Sequence, residues 1–86
     1  MNLYLIRQDV NQDYDTYDSA VVAAPDEETA RNMNPSNGNP YQWPDDDAGY
    51  YFSDWAEMPE QVSVEFLGVS DNPSFQGVVC ASFNAG

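Results

Sequence analysis

Any compact state of this chain must carry a net charge of −13 on 86 residues. Fifteen Asp and Glu are set against two basic residues, Arg7 and Arg31, with no Lys and no His. Carboxylates in such excess repel one another when the chain collapses. The interior must therefore come from short uncharged runs, with the acids left outside. High charge with low hydrophobicity is also the signature of disorder, but disordered chains are poor in aromatics. Here apolar residues make up 42% and aromatics 14%, and the apolar residues cluster. A folded single domain over residues 1–86 is expected, with a small core and modest stability.

The runs read as follows. Leu3 to Arg7 is a first strand, and Asp9 to Asp15 a polar turn. Tyr17 to Ala24 is a second strand, close enough to the first to form a hairpin. Pro25 to Met33 reads as a helix. Pro25 suits its first position, and Asp26, Glu27 and Glu28 favour the positive end of its dipole. Ala30 and Met33 face a sheet, and Pro35 stops the helix. Asn34 to Gly49 is a long loop rich in Pro, Asn and Asp, of the kind that is usually functional. Tyr50 to Trp55 is a short strand or aromatic turn, and Pro59 ends any helical turn before it. Val62 to Leu67 alternates as a half-buried strand with Val62, Val64 and Phe66 inward. Gly68 ends it, Asp71 to Gly77 turns, and Val78 to Phe83 is the last strand. Cys80 reads as a buried small hydrophobe, and Phe52, Phe66 and Phe83 as core. The fold class that follows is α+β: a small antiparallel sheet of three to four strands, one helix on one face and a long acidic loop.

Catalysis is poorly supplied. The commonest general acid–base residue is absent, and so is any Lys nucleophile. One Cys and no His leave nothing for zinc. No glycine-rich phosphate loop is present. Asp9 to Asp15 offers oxygen ligands at alternate positions, like the start of a calcium loop. The later Gly and Glu of such a loop are replaced by Tyr14 and Ala20, so a solvated acidic turn is the better reading. No enzyme activity, cofactor or metal is expected. The first residues lack a secretory pattern and no apolar run is long enough to span a bilayer, so a cytoplasmic site of action is expected.

The acids remain as a recognition surface. They fall in three stretches, Asp9–Asp18, Asp26–Glu28 and Asp45–Glu60. Strand residues two apart sit about 6.6–6.8 Å from each other on one face. DNA places a phosphate every ~3.4 Å of axis on each strand, and the wound backbone path is longer. Asp13, Asp15 and Asp18 approximate such a row. Arg pairs with carboxylates much as with phosphates, so acids in this pattern can enter an Arg/Lys-lined groove. Direct nucleic-acid or membrane binding is opposed by the charge. Tyr14, Tyr17, Tyr50, Tyr51 and Trp55 interleave with the acids as interface anchors, while Tyr41 and Trp43 are equally readable as core. The same composition also fits an inert salt-adapted or structural accessory protein. It fits, too, an acidic inhibitor of another basic nucleic-acid-binding protein.

The segments Leu3–Asp9, Tyr14–Ala24, Asp26–Arg31, Val62–Gly68 and Gly77–Gly86 together resemble a family of small acidic phage and mobile-element proteins. Within it the chain resembles anti-CRISPR proteins directed at type I surveillance complexes, type I-C among them. The resemblance implies an α/β domain that blocks target-DNA binding by imitating DNA inside an infected bacterium. It contributes no catalytic motif, and Asn34 to Tyr51 lies outside it. The expected partner is a basic DNA-binding protein, a Cas subunit of such a complex, met by a monomer. The residues expected to stand in for phosphates are Asp13, Asp15, Asp18, Asp45, Asp46, Asp47, Asp54 and Glu57, with Tyr50 as a neighbouring contact.

Overall fold

The computed structural model describes residues 1–11, 16–43 and 54–84. Strands β1 (Asn2–Arg7), β2 (Thr16–Ala24), β3 (Ser63–Val69) and β4 (Gly77–Asn84) form one antiparallel sheet in the order β3-β1-β2-β4. Among the described residues, the helix α1 (Glu27–Arg31) follows β2, and a 3-10 turn, Pro59–Gln61, precedes β3.

The β1–β2 hairpin forms the centre. Its register sets Tyr4 against Val22 and Ile6 against Ala20. Because side chains alternate across a strand, these four lie on one face, and all are buried. Ala30 and Met33 come down onto that face, and Trp55, Ala56 and Val62 complete the core. Small side chains at Ala20 and Ala24 leave room for the short helix to sit close. The sequence expectations for Ala30, Met33 and Val62 hold.

Several details differ from the sequence reading. Pro25 lies before the helix. Asp26 is the N-cap, its carboxylate accepting from the Thr29 N–H at 2.8 Å. The helix ends at Arg31, before Pro35 can act, because Asn32 caps it. Pro59 begins a 3-10 turn, a position where its missing N–H costs nothing. β3 runs through Gly68 to Val69. β3 and β4 flank the hairpin on opposite edges. The connection between them passes the end of β1, where the Ser70 N–H donates to the Met1 carbonyl at 2.7 Å.

Phe66, Phe83 and Cys80 are exposed, contrary to expectation. A five-residue helix is only about 7.5 Å long, so it covers the central strands and leaves the sheet edges open. Phe66 lies on the β3 edge against Tyr4, ring centroids 5.8 Å apart. Phe83 lies on the β4 edge against Tyr17, at 4.7 Å. Cys80 pairs with Val21, which pairs with Leu5, and these three share the face away from the helix. Phe52 lies outside the described residues.

The first part of the supposed long loop is folded. The Gly38 N–H donates to the Asn34 carbonyl at 2.8 Å and the Asn34 N–H to the Asn39 carbonyl at 2.7 Å, so residues 34–39 form a tight turn. Gly38 has φ +79, and a Cβ there would stand 3.0 Å from the Gly77 Cα. The turn therefore packs on the start of β4 through two glycines. Tyr41 and Trp43 are also structural. The Tyr41 N–H donates to the Asn32 carbonyl at 2.7 Å, Trp43 Nε1 donates to Asn32 Oδ1 at 2.9 Å, and the two rings meet edge-on.

Candidate acidic recognition site

The turn end of the β1–β2 hairpin gathers acids from separate parts of the chain. A shallow groove of about 600 Å³ is lined there by Arg7, Gln8, Asp9, Asp18, Ser19 and Gln61, among others. Its geometry is set by Gln8, a buried polar side chain. Gln8 Oε1 accepts from the N–H groups of Val10 and Asn11 at 2.9 and 2.8 Å. Its Nε2 donates to the carbonyls of Asn11 and Tyr17, both at 2.8 Å. Three of these bonds close the turn after β1 on itself and the fourth ties it to the start of β2, and the turn presents Asp9 outward.

Asp18 is presented by a bulge. Between Tyr17 and Ser19 the register with β4 shifts by one residue, so Asp18 is the extra residue of β2. Bulges re-aim a side chain at a sheet edge, and Asp18 is exposed. Asp54 arrives from a distant segment. Its carbonyl accepts from the Tyr17 N–H at 2.8 Å, and Asn11 Nδ2 donates to the next carbonyl, of Trp55, at 3.1 Å. Trp55 is fully buried, so it anchors the segment in the core instead of facing a partner. Glu57 follows, its N–H donating to Gln61 Oε1 at 2.9 Å, and Gln61 lines the groove. Asp9, Asp18, Asp54 and Glu57 are thus placed about one end of the sheet.

Of the nine residues expected at the site, Asp18 lines the groove, Asp54 is joined by its carbonyl to the neighbouring Tyr17, and Glu57 is linked to the groove only through Gln61. Asp13, Asp15, Asp45, Asp46, Asp47 and Tyr50 lie outside the described residues. Asp18 stands at a bulge, which breaks any regular two-residue row through it. Asp9 and the scaffold residue Gln8 were missed in the sequence. The signal for Gln8 was its place two residues after Ile6, on the core face of β1.

The acids Asp26, Glu27 and Glu28 form a separate group. They follow Ala24, six residues along β2 from Asp18, or about 20 Å at ~3.3 Å per residue. That exceeds the ~8 Å Debye length at physiological salt. These acids have local roles. Asp26 caps the helix, and the Thr29 backbone N–H, helped by a further hydrogen bond to its side chain, holds its carboxyl below the usual aspartate range. Glu27 pairs with Arg31 at 3.1 Å, one turn on.

Among the described residues no group of three or more His, Cys, Asp or Glu could hold a metal ion, and no helix is long and apolar enough to cross a membrane. No protein-family model, curated protein or solved structure matches the chain. The arrangement itself offers exposed carboxylates on a hydrogen-bonded scaffold, suited to pairing with the guanidinium and ammonium groups of a basic surface.

Proposed function

We propose that this chain is a stoichiometric inhibitor that uses its acidic end as a DNA mimic, occupying the DNA-binding groove of a basic protein. What supports the reading is that Asp9 and Asp18 line one groove at the turn end of the hairpin, to which hydrogen bonds attach the backbone of the segment carrying Asp54 and Glu57. Charge distributed only for solubility has no need of such an arrangement. The resemblance of the strand and helix segments narrows the partner to a Cas subunit of a type I surveillance complex, type I-C first. On this reading the protein acts in the cytoplasm of an infected bacterium, without catalysis or cofactor.

The test is target-DNA binding by purified type I-C surveillance complex, with and without the protein, across a salt series. Loss of DNA binding near equal molar ratio, relieved as salt rises, is expected for carboxylates displacing phosphates. Unchanged DNA binding at excess inhibitor removes this target.

A further inference from the structure

The 34–39 turn carries chemistry that the acidic end does not use. Asn37 is exposed there and is followed by Gly38. Asn34, Asn39 and Asn72 are each followed by Pro, which has no backbone N–H. Asn2, Asn11, Asn32 and Asn84 are followed by residues with side chains. Asn37 is therefore the asparagine whose amide carbon neighbours a backbone N–H that no side chain shields. In the closed turn both groups are engaged. The Gly38 N–H donates to the Asn34 carbonyl at 2.8 Å, and Asn37 Oδ1 accepts from the Asn39 N–H at 2.9 Å.

We propose that Asn37–Gly38 is a self-modification site whose rate is set by opening of the turn. The Gly38 nitrogen attacks the side-chain carbonyl carbon of Asn37. A C–N bond forms, closing a cyclic imide; the bond to the amide nitrogen breaks, and ammonia leaves with the Gly38 proton. Water then opens the ring at either carbonyl, and no oxidant or reductant enters. Opening at the former side-chain carbonyl leaves aspartate. Opening at the main-chain carbonyl leaves isoaspartate, with the backbone routed through the side chain and longer by one carbon. The two products differ in their fit to the fold. Aspartate at this position still accepts from the Asn39 N–H, as Asn37 does. Isoaspartate lengthens the chain just before Gly38, where a Cβ would already stand 3.0 Å from the Gly77 Cα, so the turn cannot stay closed on β4. Gly77 pairs with Ala23, about 16 Å along β2 from Asp18 at ~3.3 Å per residue. The acidic end is untouched, and this inference stands or falls apart from the inhibitor reading.

Peptide mapping by mass spectrometry, following amide-to-acid conversion in the full chain at mildly alkaline pH, tests the proposal. In guanidinium chloride Asn37 should convert fastest of the asparagines. In the native chain it should convert at least about tenfold more slowly, because reaction waits on local opening. Asn34→Ala removes the oxygen that accepts from the Ser36 N–H and hydroxyl at 2.9 and 2.8 Å, and should speed conversion in the native chain alone. The separated isoaspartyl form should melt below wild type, whereas Asn37→Asp should melt with wild type. Conversion of Asn37 no faster than that of Asn11, Asn32 or Asn84 in denaturant overturns the proposal. So do equal rates in the native and unfolded chain, or an isoaspartyl form as stable as wild type.

Discussion

Gln8 is the residue on which the acidic end depends. Its amide uses both ends, accepting two backbone N–H groups and donating to two carbonyls. Gln8→Ala leaves these backbone groups without their partner, at a cost of about 2 kcal/mol, or roughly 8–16 °C in Tm for a domain this small. Gln8→Glu keeps the two accepted bonds but turns a buried carboxylate oxygen onto the Asn11 and Tyr17 carbonyls, so its Tm at neutral pH should fall at least as far as that of Gln8→Ala. Asp26 carries a pH prediction. Its folded-state pKa is depressed by the Thr29 N–H, so its contribution is complete above the ordinary aspartate range, ~4. It is lost as pH falls through the lower folded value. Asn caps a helix about as well and does not titrate there. Asp26→Asn should match wild type in Tm at pH 7 and lose less stability on acidification, whereas Asp26→Ala should be less stable at pH 7. A thermal-melt series in pH decides both. Gln8 was legible only as a residue in phase with Tyr4 and Ile6. Nothing local indicated that its amide would close the hairpin.

At the scale of elements, the sequence located the strands to within a residue or two because each is a short apolar run bounded by polar turns. The helix was legible in position but overestimated in length, since capping by Asp26 and Asn32 competes with extension. That short helix explains why aromatic residues read as core stand at the edges. Phe66→Ser should change stability by less than about 0.5 kcal/mol beyond the loss of its ring contact with Tyr4, itself worth about 0.5–1.5 kcal/mol. Trp55→Ala should cost about 3–5 kcal/mol and release the segment that delivers Asp54. Urea titration separates these two outcomes. The 34–39 turn makes a sharper demand. Gly38→Ala meets both a left-handed backbone and the Gly77 Cα at 3.0 Å. It should destabilise by at least about 1–2 kcal/mol, and Gly38→Asn, which tolerates the left-handed conformation better, should not restore full stability, because the Cβ contact remains.

For the whole molecule, self-repulsion and recognition pull in opposite directions. Changing Asp18, Asp54 and Glu57 together to Lys takes the net charge from −13 to −7. This should raise Tm at low ionic strength while reducing inhibition of DNA binding by at least about tenfold, since each close charge pair at an interface is worth over a kcal/mol. The matched change at Glu28, Glu65 and Asp71, outside the acidic end, should give a similar gain in Tm and leave inhibition largely intact. Equal inhibition by both triple variants would point to a diffuse charge effect instead of a site. The sequence by itself determined the sign of the surface, the α+β class and the positions of the four strands, because charge and apolar runs are properties of neighbouring residues. Only the tertiary structure decided that β3 and β4 flank the hairpin and that Trp55 is an anchor in the core. It alone joined Asp54 to Tyr17 and Asp18 at one end. Those outcomes depend on hydrogen bonds and packing between residues 37 or more positions apart, which no local pattern encodes.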